Sequence, residues 1–269
     1  VVSVAGGTAT AGGFRFAPGA DVLTVTLTAV NDRAAEAAET AVLVIGPGEG
    51  FGADAAVGVI ARNDTRVTTD ADAGEGSLRQ AVENANLFPG VEAVTFDPGF
   101  FAAPRTITLT TGELRLTGDL TIAGPGAGLL TVSGNGADRV FNVDDGSFST
   151  SRAVRIEGLT ITGGRAAFSG GGVYSRESLT LANVTVAGNA AVGGDGGGVA
   201  SVGGILTVIG STVSGNTAPR NGGGVSVRGG AAAVTASTVS GNTAGANGGG
   251  IDNSDAGGTL TVTASTLFG

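Results

Sequence analysis

The residues available for chemistry in this chain are few in kind. Among its 269 residues there is no His, Cys, Met or Trp, and all fourteen positive charges are Arg. Without His or Cys there is no Ser-His-Asp triad, no Cys-His pair and no Cys/His zinc site. Without Lys there is no Schiff base and no phosphate loop of the Walker type. What remains is carboxylate, hydroxyl and guanidinium chemistry, and ligation of metals through oxygen. Paired carboxylates hydrolyse glycosidic bonds, and calcium with an Arg base is a second route to cleaving an acidic polysaccharide. The candidates are Asp144 with Asp145, Asp252 with Asp255, Asp195, and the arginines Arg139, Arg155, Arg165 and Arg176. Acids adjacent on a strand point to opposite faces, so Asp144 and Asp145 form a pair only in a turn. VDDGS reads as such a turn, where Asp is common in any case, and IDNSDAGG around Asp252 is also turn chemistry. Arg139 and Arg155 read equally well as ion-pair partners of nearby acids such as Glu157.

The elements that must position these groups are written in repeats. The residue after each glycine triplet is Val173, Val199, Val225 or Ile251, a constant spacing of 26. Ahead of the triplets stand TVAGN, TVSGN and TVSGN, ending at Asn189, Asn216 and Asn242. Short runs alternate between apolar and polar residues: LTLANVTV, ILTVIGSTV and TLTVTASTL. These are strand patterns rich in β-branched residues. A period of this length without helices predicts a β-solenoid, one turn of chain per rung, each rung pairing in parallel with the next at ~4.8 Å. Val186, Val213, Val239 and Leu267, begun by Ile161, are expected to stack inward, and Thr185, Thr212, Thr238 and Thr266 outward. Gly188-Asn189, Gly215-Asn216 and Gly241-Asn242 are read as turns, because Gly and Asn tolerate left-handed backbone, with the asparagines stacked as an amide ladder. Gly172, Gly198, Gly224 and Gly250 are read as the corners of rungs. The leucine-rich repeat lacks its Leu and Asn spacing here, and the calcium-binding nonapeptide repeat lacks its period.

Two further regions precede the repeats. In residues 66–104, GSLRQAVENANLFPG predicts one amphipathic helix near 77–87. Ser77 and Gln80 form a capping-box pattern, and Pro89-Gly90 ends it. Its position suits a cap over the open end of a solenoid, whose unpaired strand groups need cover. Residues 1–65 carry FRFAPG, DVLTVTLTAV and TAVLVIG, the pattern of antiparallel sandwich strands. Acidic positions gather there in NDRAAEAAE and ARND. The repeats themselves occupy 105–269. The expected class is therefore all-β: a parallel β-helix with an N-terminal capping helix, preceded by a partial immunoglobulin-like sandwich.

Residues 1–64 resemble the Calx-beta domain in GGTATAG, the F-x-P-G turn, the ND-x3-E-x2-E motif and the closing I-x-x-ND. The first strands of that fold are missing. The resemblance implies calcium ligation by Asp32, Glu36, Glu39 and Asp64, a type of site that takes 6–8 oxygen ligands. Asn31 and Asn63 stand where calcium-binding members often have Asp, and Arg62 where another acid is common. Residues 67–269 resemble bacterial surface proteins with right-handed parallel β-helix repeats, related to the pectin-lyase-like fold and to polymorphic outer-membrane proteins. The features that carry this are VTTDADAGEGSLRQAVENAN, IAGPGAG and the repeated SGN…GGG[IV] rung. The resemblance implies an extracellular or cell-surface location in a bacterium.

Function is less constrained, because such helices host lyases, hydrolases and adhesins. The His-containing motif of β-helix polygalacturonases is absent, and Tyr174 is the sole Tyr. The regular rungs favour a non-catalytic structural or adhesive role toward a polysaccharide or protein ligand. A polysaccharide lyase or glycoside hydrolase on the helix flank is the alternative. The net charge of −9 argues against nucleic-acid or anionic-membrane partners, and no run approaches the ~20 apolar residues of a membrane span. The chain opens in mid-strand and stops inside a repeat, so it reads as a fragment in which missing targeting signals prove nothing.

Overall fold

The computed structural model describes residues 2–5, 7–10, 13–16, 24–27, 39–45, 54–60, 65–87, 92–147, 151–254 and 258–269. They fall into two compact units, Val1–Asp64 and Thr65–Gly269. The first is described by its strand backbone alone. Val2–Ala5 pairs antiparallel with Thr24–Leu27, Gly7–Thr10 with Gly13–Phe16, and Glu39–Ile45 with Asp54–Ile60.

The second unit is a parallel β-solenoid of about seven turns. In a complete turn such as the fourth, the chain runs through Ser178–Ala182, Thr185–Ala187, Ala190–Ala191 and Val199–Val202. Each of these strands pairs in parallel with its counterpart in the next turn, giving sheets of eight, seven, four and six strands. The stacked sheet starts upstream of residue 105, because Glu92–Phe96 and Arg66–Val67 already belong to the eight-stranded sheet.

Alternation decides which side chains go inside. Leu179 pairs with Leu206, Val186 with Val213, and Val199 with Val225, and all six are buried. The column Ile107, Val132, Ile161, Val186, Val213 and Val239 is buried throughout. Its expected last member, Leu267, is 48 % exposed. Its strand, Thr266–Phe268, lies at the edge of its sheet with a neighbour on one side only. One turn therefore cannot cover its own inner face; the next turn does so.

The asparagine ladder has its own geometry. Asn189 Nδ2 donates to Asn216 Oδ1 at 3.0 Å, and Asn216 Nδ2 to Asn242 Oδ1 at 2.9 Å. Each Oδ1 also accepts the backbone N–H of the preceding ladder residue, at 2.9 Å in both cases. Each Nδ2 also donates to a carbonyl one turn back: Ile161, Val186 and Val213 respectively. Only the glycines of the Gly-Asn pairs are left-handed, with φ of 65°, 61° and 57° at Gly188, Gly215 and Gly241; the asparagines are not among the positive-φ residues. Asn is required here for its amide, not for its backbone freedom. Serine forms a second ladder, in which Ser211 and Ser237 each donate a backbone N–H to the hydroxyl one turn on, at Ser237 and Ser265.

The glycine triplet has three separate causes. In Gly222-Gly223-Gly224, the first glycine is left-handed, with φ of 62°. A Cβ on the second would stand 2.5 Å from the Gly249 carbonyl and closer still to the Thr243 backbone. A Cβ on the third would meet the Gly250 carbonyl at 2.5 Å and the Asn242 amide at 2.9 Å. The corner expected at Gly224 is thus a point of close approach, and the left-handed bend sits two residues earlier.

The expected helix spans Leu78–Leu87 and packs against the strands Arg66–Val67, Glu92–Phe96 and Leu114–Leu116. Leu78, Ala81, Val82 and Ala85 join the solenoid core. Ser77 Oγ accepts the Gln80 N–H at 3.2 Å, as the capping pattern requires. The reciprocal half is absent, because the Ser77 N–H donates to the Gly74 carbonyl at 3.2 Å, while the Gln80 amide is turned to Asn84. Pro89-Gly90 lies outside the described residues. Asp72 fastens the helix to the first turn. Its Oδ1 accepts from Arg79, and its Oδ2 accepts from the amides and hydroxyls of Thr110 and Thr111. Burial alone would raise the Asp72 carboxyl, but the Thr110 amide, the Arg79 guanidinium and the two hydroxyls hold it at about 2, against an ordinary 3.8.

Three outcomes follow. Asn216→Ala removes the acceptor of two Asn189 donors and the partner of the Val186 carbonyl, all buried, at about 3 kcal/mol. Gly223→Val places atoms on the Thr243 backbone and should destabilise more than Pro219→Ala or Arg220→Ala in the exposed loop; urea unfolding measures all four. A depressed carboxylate pKa stabilises above its unfolded value and loses that contribution as pH falls through the folded value. Asp72→Asn should therefore lower the melting temperature at pH 5 and above, and its deficit against the wild type should shrink between pH 4 and about 2.

Candidate functional site

Parallel stacking brings distant acids together at the end of the six-stranded sheet. Phe141–Val143 leads into Asp144 and Asp145, and Val173–Ser175, its neighbour in the sheet, leads into Arg176 and Glu177. Asp144 Oδ1 accepts the Gly146 N–H at 2.9 Å and Asp145 Oδ1 the Ser147 N–H at 2.8 Å. These Asp turns rotate both carboxylates to one side, which a continuous strand would forbid. Carboxylate oxygens of Asp144, Asp145 and Glu177 lie within 4.8 Å of one another. Alongside runs a groove of about 310 Å³, lined by Ser147, Ser151, Arg176, Glu177 and the Val202–Gly204 turn.

The cluster is held internally by cations and amides. Arg152 Nε pairs with Asp145 at 2.9 Å, and Arg176 reaches Asp144 at 3.5 Å. Glu177 is 2 % exposed and accepts the amides of Arg152, at 2.8 Å, and Asp145, at 3.5 Å. Burial raises the Tyr174 phenol above its ordinary 10, with Asp144 adding to the rise and Arg176, Arg139 and Arg228 opposing it. Tyr174 is thus a neutral hydroxyl at physiological pH, and Arg139 lies over its ring at 5.1 Å.

The other expected residues stand apart from this cluster. Arg155 pairs with Glu157 at 2.6 Å, as local pairing suggested, whereas Arg139 pairs at 2.6 Å with Glu113, 26 residues away in the sequence. Arg165 opens the strand Arg165–Ala166 and is exposed. Asp252 accepts from Ser254 in its own turn, and Asp255 lies outside the described residues. Asp195 is buried, with Arg228 at 3.4 Å and Arg220 at 3.9 Å. Asp195 also accepts the backbone and side-chain N–H groups of Asn221, and Asn247 bonds Asn221 in the same way. The residue just before the triplet therefore forms a third, outer ladder through Asp195, Asn221 and Asn247. Glu177 and this outer ladder were not singled out from the sequence, although the 26-residue alignment does place Asp195, Asn221 and Asn247 in one column.

Asp32, Glu36 and Asp64 lie outside the described residues. Of Glu39 only the backbone is described, opening the strand Glu39–Ile45 opposite Ile60. Among the described residues, no helix is long and apolar enough to cross a membrane. No family model, curated protein or solved structure matches the chain.

Proposed function

We propose that this chain is a non-catalytic structural or adhesive part of a secreted or cell-surface protein. Its β-solenoid, read as right-handed by the chirality of parallel crossover connections and closed at its first turn by the helix Leu78–Leu87, serves as an extended scaffold for a polysaccharide or protein ligand. The preceding unit is read as a Calx-beta-like sandwich that takes calcium through Asp32, Glu36, Glu39 and Asp64.

One observation carries the scaffold reading. Each acid of the candidate cluster is already bonded to Arg or to backbone: Asp144 to Arg176, Asp145 to Arg152, and Glu177 to two amides. A general acid or nucleophile must present a free carboxyl oxygen to the substrate, and Glu177 is too deeply buried to do so. Meanwhile the asparagine and serine ladders each join three consecutive turns, which suits a scaffold.

The test is direct. The chain is incubated with a panel of acidic polysaccharides in millimolar calcium, and unsaturated and reducing ends are measured; none should form. Turnover abolished by Asp144→Ala or Asp252→Ala would overturn the reading in favour of a lyase or hydrolase. In the same buffers, calcium should raise the melting temperature of the transition assigned to residues 1–64, since a ligand bound only by the native state stabilises it. An unmoved transition would remove those four acids as ligands.

A further inference from the structure

The outer face of the seven-stranded sheet differs from its neighbours. In its strands the apolar residue of each T-x-[TS]-like triplet points inward, and the two flanking residues point out. One outward column runs Thr160, Thr185, Thr212, Thr238 and on to Thr106 and Thr266 at the two edges of the sheet. Between Thr106 and Thr160 stands Thr131, so every strand contributes a threonine. The parallel column two residues on is Thr108, Ser133, Thr162, Ser214 and Ser240, interrupted by Ala187 and Phe268. No charged side chain stands in either column. Outward positions of the other sheets do carry charge: Arg155 and Glu157 on the eight-stranded sheet, Arg115 and Arg228 on the six-stranded one.

This face is a two-dimensional lattice. Its repeat is ~4.8 Å across the strands and roughly 6.6 Å between the two columns. The register is unbroken across the whole sheet, so the array is set by backbone hydrogen bonds and not by flexible side chains. Thr is stiff at χ1, which keeps each hydroxyl and methyl in a repeated position at little entropic cost. Few of the hydroxyls are engaged within the chain: among the described residues Thr160 donates to the Ala127 carbonyl, and Ser133 accepts the Asn135 N–H.

We infer that this face binds ordered water in the form of an ice surface. Hexagonal ice repeats its oxygens along two perpendicular in-plane directions at separations of this order. The rows of hydroxyls can take places in that lattice while the methyl rows hold the waters between them in cage-like order. An uncharged face is needed for this, because an ion would impose its own hydration shell. A sugar polymer would fit less well: it needs stacking platforms or charge pairs, and these columns hold no charge and a single ring, Phe268, at the edge of the sheet. The inference is independent of the scaffold reading.

The test grows ice slowly from a dilute solution of the chain and measures its enrichment in the frozen fraction, with recrystallisation of fine-grained ice as a second readout. Thr185→Tyr/Thr212→Tyr breaks the lattice. Thr180→Tyr/Thr207→Tyr makes the same change on the outer face of the eight-stranded sheet, and thermal melting confirms that both variants fold. The wild type and the second variant should enter ice and restrain recrystallisation, and the first should be excluded like an inert protein. Exclusion of the wild type, or equal behaviour of the two variants, would overturn the inference. Exclusion together with a concentration-dependent dimer, lost only in the first variant, would assign the face to a second copy of the chain instead.

Discussion

Every turn of this solenoid depends on its neighbour to complete it. A rung of some 26 residues has an apolar inner face that it cannot cover and strand edges that it cannot pair. Burial of both is supplied by the next rung, so stability accumulates along the axis through nearest-neighbour contacts. The buried amides of Asn189, Asn216 and Asn242 meet the same constraint at the bend. The carboxamides of Asn189 and Asn216 link to the chain one turn ahead and one turn behind, and that of Asn242 to the turn behind. In a bend, where sheet hydrogen bonding lapses, that side chain stands in for the missing ladder bonds.

Glycine answers the converse demand, that backbones come close. Around Gly222-Gly223-Gly224 a left-handed bend, a contact with the Thr243 and Gly249 backbones, and a contact with the Asn242 amide fall on three consecutive residues. No other residue type meets all three. The loop before the triplet makes this demand only at Gly245, against the Pro219 carbonyl, and the sequence varies there: TAPRN in one turn, TAGAN in the next. The same regularity that fixes the inside leaves the outer faces free to differ: the seven-stranded sheet carries a threonine in every strand, whereas Arg155 and Ala233 interrupt the corresponding column of the eight-stranded sheet.

Much of the architecture was legible because its causes are local and repeated. Alternation around Val186, Val213 and Val239 identified the inner column, and a 26-residue period identified the stacking direction. The helix was legible from Ser77 and the spacing of Leu78, Ala81, Val82 and Ala85. The candidate cluster was legible only in part. Asp144 and Asp145 could be seen as a turn, but Glu177 joins them only through the register of two neighbouring strands, which single residues do not announce. The role of the asparagines was half legible: their stacking followed from the period, but left-handed backbone was assigned to them when only the preceding glycines adopt it. The hydrogen-bonding use of the amide depends on the inward direction of the side chain, a property of the packed bend.

The central claim is that the amide ladder holds the bends of the solenoid together, and amide hydrogen exchange tests it most directly. The backbone N–H groups of Asn189 and Asn216, which donate to the ladder, should exchange as slowly as the core-strand amide of Thr212 and far more slowly than that of Arg220 in the exposed loop. Protection should fall toward the Thr266–Phe268 edge of the stack. If the Asn189 and Asn216 amides exchanged as fast as Arg220 while Thr212 stayed protected, the bends would be open independently of the sheets, and the account would be wrong.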